Sequence, residues 1–212
     1  MINTIFDKIV ERFPQYNPNI INSEGEPNII VFNTFMSENE CDALNRVPNH
    51  WNTSALTNSA SNRSYRNSDS FVCHGELLNV EIVSKIQDRI ESIIQIPKVN
   101  YEEMVLTKYN TGGFFGRHHD FILRETDPEG FEKLGPRILT FLIYLSDVEE
   151  GGETKFFHLN KSVKPKMGKA ILWTNVFNNL DKNELAAHEA TTVTRGSKYI
   201  SQTWIHPKQI IF

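Results

Sequence analysis

Much that would point elsewhere is missing from this sequence. It has only two cysteines, Cys41 and Cys73, in 212 residues. That excludes a disulfide framework, and both read as buried thiols. It has no strong excess of either charge, since the net charge is −4 with acids and bases interspersed, so it carries no electrostatic footprint for nucleic acid. No apolar run approaches the ~20 residues that cross a bilayer. There is no internal repeat and no low-complexity tract. Asp7, Lys8 and Glu11 interrupt the opening "MINTIFDKIVERF", which therefore does not read as a signal peptide. These absences lead us to expect a cytoplasmic protein without membrane or nucleic-acid partners, a monomer or weak dimer. A secretory location stays open if a leader is missing from the sequence.

What is present is globular. Hydrophobic residues make up 39%, and the length suits one domain with at most a short extension. Ile2, Ile5, Phe6, Ile9, Val10 and Phe13 recur at helical spacing and predict an amphipathic helix that docks on the domain. A polar Asn/Pro-rich linker follows to residue 28, and the main domain is expected over 29–212. "IIVFNTFM" reads as a buried strand. Ser37 with Glu40 signals a capping box for a helix over "ENECDALNRV". "SALTNSASNRSYRNSDS" reads as a loop or ragged hairpin. Val80, Val83, Ile86, Ile90 and Ile94 predict a helix over 79–94, limited by Pro97. From about residue 100 come short strand-like runs: "EMVLTKY", "RILTFLIYL", "TKFFHL", "AILWTNV", "HEATTVT" and "KYISQTW". Their series predicts a mainly β fold with flanking helices, built on a double-sheet or barrel core.

The chemistry centres on "FGRHHDF". On a strand, His118 and Asp120 share a face and His119 takes the other. Two imidazoles and one carboxylate make the facial triad of iron(II) oxygenases, so a second histidine must come from a distant strand. Of the seven histidines, His188 stands out through its sequel, "HEATTVTRGSKYISQTWIH". A turn at Arg195-Gly196 leads into a strand that places Lys198, Ile200, Gln202, Trp204 and His206 on one face. An ammonium, an indole and an imidazole on one face suit a pocket for a carboxylate ligand.

From about Ile29 to His206 the chain resembles the prolyl 4-hydroxylase family of Fe(II)/2-oxoglutarate-dependent dioxygenases. The resemblance is carried in order by "NIIVFNTFMSENECDAL", "YRNSDSFV", "DRIESIIQIPKVNYEEMVLTKYNTGGFFGRHHDF", "RILTFLIYLSDVEEGGETKFF", "VKPKMGKAILW" and the closing "HEATTVTRGSKYISQTWIH". It implies a double-stranded β-helix, or cupin-like jelly-roll, core. It implies iron on His118, Asp120 and His188. Lys198 would hold the distal carboxylate of 2-oxoglutarate with help from Thr154. Tyr109, Trp204 and Tyr144 would wall the cosubstrate, and Arg137, His206 and Phe115 would face the substrate. It also implies O2 as co-reactant and ascorbate as an accessory cofactor. The family's Y-x-x-G-Q-x-Y segment departs here, with Gly113 for Gln and Phe115 for the second Tyr, and its Pro-Val after the late histidine is Thr192-Val193. Of these, Phe115 would lie near the substrate, so the departures bear on the substrate rather than on the metal or cosubstrate residues.

The expected activity is hydroxylation of a proline-containing peptide or protein, with release of succinate and carbon dioxide. The alternatives are the same chemistry on a free amino acid, a lysyl peptide or a small metabolite, and an inactive binding module. A nucleic-acid dealkylase fits less well, because Lys198 stands where such enzymes usually carry arginine. The segment 122–136, "ILRETDPEGFEKLGP", is read equally as a lid and as a solvated surface loop.

Overall fold

The computed structural model describes residues 2–22, 28–54 and 64–209. Two antiparallel sheets face each other. The larger runs, in spatial order, β1 (Pro18–Asn22), β2 (Ile29–Phe32), β12 (Ala170–Thr174), β8 (Leu139–Tyr144), β15 (Lys198–Ile205), β6 (Met104–Tyr109), β5 (Asp69–Cys73) and β3 (Asn52–Thr53). The smaller runs β11 (Lys161–Val163), β10 (Thr154–Phe156), β13 (His188–Ala190), β7 (Phe114–His118) and β4 (Arg66–Asn67). A short pair, β9 (Glu150–Gly151) with β14 (Val193–Arg195), completes the double-sheet jelly roll.

The apolar runs are continuous because both faces of the larger sheet are covered. On β8, Leu139, Phe141 and Ile143 point to the helices, while Leu142 and Tyr144 point between the sheets. On β2, Ile30 and Phe32 take the first direction and Ile29 and Val31 the second. Two cores result, one under the helices and one inside the jelly roll.

The helices α1 (Ile2–Arg12), α2 (Glu38–Asn45) and α3 (Glu81–Ile94) lie near their predicted places. Phe6 and Ile9 of α1 are buried in the outer core. Ser37 and Glu40 form the reciprocal capping box. The Glu40 carboxylate also receives Arg89 of α3 at 2.6 Å. That pairing holds Glu40 well below the usual carboxylate range against the opposing effect of burial and locks α2 to α3. Helix α3 starts at Glu81 rather than 79, because Val80 takes extended backbone angles as its N-cap and stays 36% exposed.

Several elements differ from the sequence expectation. The segment read as a polar linker contains a 3-10 turn at Pro14–Tyr16 and the edge strand β1. Its backbone pairs with β2, which a polar composition does not forbid at a sheet edge. The loop or hairpin over "SALTNSASNRSYRNSDS" falls partly outside the described residues, at 55–63; its last residues begin β5. "HEATTVT" is two strands in different sheets, β13 and β14. Within 122–136, the helix α4 (Pro128–Leu134) is capped by Asp127, whose carboxylate accepts from the Gly130 N–H at 3.0 Å. Among the described residues, no helix is long and apolar enough to cross a membrane.

Candidate metal centre and cosubstrate pocket

Strand β7 ends at His118 and pairs antiparallel with β13, so that His118 and His188 stand directly opposite each other. Their rings lie 4.3 Å apart, centre to centre. Asp120, two residues past the strand end, turns its carboxylate between them: Oδ1 is 3.7 Å from His118 Nε2 and Oδ2 is 3.7 Å from His188 Nε2. One ligand atom from each residue lies within 4.8 Å of the others.

The backbone sets the tautomers. His118 Nδ1 donates to the Gly116 carbonyl at 2.8 Å, and His188 Nδ1 donates to the Ala186 carbonyl at 3.1 Å. Both Nε2 lone pairs therefore face the common point. Burial, and then the neighbouring His188, push the His118 imidazole down to about 3, which keeps it a neutral ligand. Burial opposes charge on Asp120, but His188, His118, Arg137 and the Thr140 hydroxyl together hold its carboxyl below the ordinary value. Thr140 donates to Asp120 Oδ2 at 2.8 Å and accepts from Asn175 Nδ2 at 2.8 Å. Phe115 stacks on the His118 ring at 3.6 Å.

Lys198 opens β15 opposite Tyr109 of β6. It is 1% exposed, and its Nζ has no hydrogen-bond partner. The ammonium lies 5.1 Å from the Tyr109 ring centre and 5.5 Å from that of Tyr144. Burial pushes its pKa down to about 7. The Tyr144 hydroxyl lies 2.7 Å from Thr154 Oγ1 and 3.1 Å from the Val163 carbonyl, so two acceptors share its single proton. A pocket lined by His118, His188, Tyr109, Thr154, Lys198 and Gln202 joins the two histidines of the triad to this ammonium.

These residues fit iron and an acidic cosubstrate. His188 Nε2 is buried without a partner and points at the two other donors. A set of two imidazoles and one carboxylate with open positions suits iron(II). An unpaired buried ammonium calls for an anion, because an uncompensated charge in the interior is strongly unfavourable.

Residues 104–206 match the family model of the 2OG-Fe(II) oxygenase superfamily. That segment is a domain of the superfamily. The chain is 32% identical over 190 residues to prolyl 4-hydroxylase subunit alpha-1 of Homo sapiens, an alignment covering 86% of this chain and 35% of the subunit. It is 34% identical over 146 residues to prolyl 4-hydroxylase subunit alpha-2 of Caenorhabditis elegans, covering 68% and 26%. The chain thus spans about a third of the length of such curated relatives. Among solved structures, it resembles the viral collagen prolyl hydroxylase of Paramecium Bursaria Chlorella virus-1 in its 2OG complex. That match has a TM-score of 0.66 and 25% identity, and covers 84% of this chain and 95% of the viral one. A Trichoplax adhaerens prolyl hydroxylase in complex with a hypoxia inducible factor peptide shares the fold at a TM-score of 0.62 and 16% identity, covering 96% and 89%.

Of the residues singled out in the sequence, His118, Asp120, His188, Lys198, Tyr109, Thr154, Tyr144 and Phe115 come together around one pocket. The neighbour of His118, His119, points away, with Nε2 3.1 Å from Glu184. Trp204 does not wall the cosubstrate. It shares the strand face with Lys198, but six residues of strand separate them by roughly 20 Å. Its ring lies under Arg137 instead, 4.0 Å from the guanidinium carbon. Arg137 is bound bidentately to Glu102, at 2.5 and 2.6 Å. His206 is not at the pocket mouth. β15 ends at Ile205, so strand alternation no longer directs it. It is 1% exposed, with Nδ1 3.0 Å from the Gly135 carbonyl and Nε2 2.8 Å from Glu102. Sequence reasoning missed Glu102, the hub of this cluster, and the Thr140–Asn175 relay. A lone threonine in "RILTFLIYL" was the available signal for Thr140; nothing marked Glu102.

Proposed function

We propose that this oxygenase hydroxylates a proline-containing peptide, as its prolyl 4-hydroxylase relatives are named for doing, with Fe(II), 2-oxoglutarate and O2. One observation carries the proposal: a converging His118/Asp120/His188 set and an unpaired buried Lys198 share one pocket. Iron, when bound, supplies dioxygen activation coupled to oxidative decarboxylation of 2-oxoglutarate, the step a protein lacks groups to perform alone. The chain's own residues would do the rest. His118, Asp120 and His188 would hold the metal on one side and leave the other open. Thr140 keeps the Asp120 carboxylate aimed, and Phe115 keeps the His118 ring in plane. Lys198, with a hydroxyl proton from Thr154, would receive the distal carboxylate, so that a five-carbon diacid is selected over shorter keto acids. Tyr109 and Tyr144 exclude water around that contact.

Arg137 and Trp204 border an open groove of about 530 Å3, the place we assign to the peptide. Arg137 donors suit peptide carbonyls, and a proline-rich chain is already extended, so it binds with little ordering cost. His206 would act there by holding Glu102 rather than by touching substrate. The test is succinate release from iron-loaded protein with proline-rich, collagen-like and proline-free peptides, and mass spectrometry for a +16 product. Turnover confined to proline-containing peptides, with +16 on proline, is expected. A +16 product on lysine, or only on small metabolites, refutes the peptidyl-proline assignment.

A further inference from the structure

Among the described residues, the larger sheet has eight strands and the smaller has five, so part of the larger sheet's inner face is uncovered. Leu142, Gln202, Val105 and Val72 are successive cross-strand partners on β8, β15, β6 and β5, and therefore share one face. Leu142 and Gln202 line the cosubstrate pocket. Val105 and Val72 line the groove beside Arg137. Val72 is 37% exposed, whereas Phe71 and Cys73 on the other face are buried. A continuous floor thus leads from the metal pocket out to the edge of the sheet.

One charge on this floor has no counterpart. Glu102 is neutralised by Arg137. Glu103, half-buried beside it, lines the groove and also two adjoining recesses, one next to His50 and His74 and one next to Lys98. Lys98 is engaged by Asp88. Among the described residues, the Glu103 side chain has neither a hydrogen bond nor an ion pair.

We propose that the groove receives the substrate peptide beyond the hydroxylated residue and that Glu103 selects a lysine or arginine there. The proposal rests on the peptide-hydroxylase assignment above. Its spacing follows from the sheet. Thr140, which holds Asp120, lies opposite Trp204, whose carbonyl accepts from the Glu102 N–H at 2.8 Å. The path from Thr140 across β15 to the start of β6 is two strand spacings, roughly 10 Å. A polyproline-like peptide advances about 3.1 Å per residue. The basic residue therefore falls roughly three residues from the target proline, or two to four once its own reach is included. The preference is about two- to fivefold, the size of a part-exposed ion pair.

The test uses the iron-loaded full chain and one proline-rich host peptide. Lys, Gln or Glu is walked through the positions two to four residues on either side of the target proline, and kcat/KM is measured for each. We expect Lys over Gln over Glu at one position. The Lys/Gln ratio, which cancels any general loss of activity, should fall to about one in Glu103→Gln, and Glu103→Lys should invert the order towards the Glu peptide. If host peptides are hydroxylated without any charge preference, or if the ratio survives both substitutions, Glu103 is not the selector and the peptide-hydroxylase assignment stands. If no host peptide is hydroxylated while 2-oxoglutarate is still consumed, the assignment itself fails and this proposal with it.

Discussion

Replacing Lys198 by methionine should move two properties in opposite directions. The side chain keeps its length and loses its charge. In the ligand-free protein, the ammonium is buried and unpartnered, and its pKa has fallen from 10.5 to about 7. At about 1.4 kcal/mol per unit, that fall is a destabilisation on the order of 5 kcal/mol below pH 7. Even half of it corresponds to roughly 5–10 °C in Tm for a chain of this size. Lys198→Met should therefore melt higher than wild type in the absence of metal and cosubstrate. Because the folded pKa lies below the unfolded one, the unfolded chain holds a proton that the folded chain has lost between pH about 7 and 10.5. Wild-type stability should accordingly rise with pH across that window, and the variant should lose that slope. Binding reverses the sign. The cosubstrate carboxylate would lose its counter-charge in a closed pocket, a loss of about 3–5 kcal/mol, so the 2-oxoglutarate KM should rise on the order of 10²–10³-fold. Iron retention should persist. Thermal melts of the apo protein at several pH values and succinate release against 2-oxoglutarate concentration measure both effects. A variant with unchanged KM removes Lys198 from the cosubstrate site. One that melts lower than wild type shows that the ammonium has a partner inside the fold.

Thr140→Val takes from Asp120 the donor at 2.8 Å and should weaken iron affinity by about 10- to 100-fold, read by chelator competition; unchanged affinity means that the relay does not aim the carboxylate. His119→Ala should retain iron and most turnover, because its partner is the exposed Glu184, whereas His118→Ala should retain neither; the opposite pattern would place the metal on His119. Arg137→Ala strips the cation from a part-buried Glu102, so stability should fall by on the order of 2–3 kcal/mol in denaturant melts. Peptide hydroxylation should fall much further than peptide-independent consumption of 2-oxoglutarate, and equal losses of the two would make Arg137 purely structural.

Local patterns in the sequence were sufficient for the elements whose character is set by neighbours along the chain. Helical spacing located α3, the Ser37/Glu40 pair located α2, and the apolar runs located β6, β8, β12 and β15, because burial on one face or two leaves a period of its own. His118 and Lys198 were legible as part of a site for the same reason: each lies on a strand, which aims alternate side chains. Asp120 lies two residues past the end of β7, so the H-x-D spacing found it but strand alternation does not place it. Elsewhere, what lies past a strand end was not legible. His206 follows the last residue of β15 and turns inward to Glu102 and Gly135. Trp204 faces inward as expected, yet strand length separates it from Lys198. The edge strand β1 hid in polar residues, because edge pairing is made by backbone groups that composition does not report. Glu102, Thr140 and Asn175 acquire their roles only from partners 20 to 104 residues away. Which charge is neutralised and which is left open, Glu102 by Arg137 and Glu103 by nothing among the described residues, is settled by where the smaller sheet stops covering the larger one, and that is a property of the assembled fold alone.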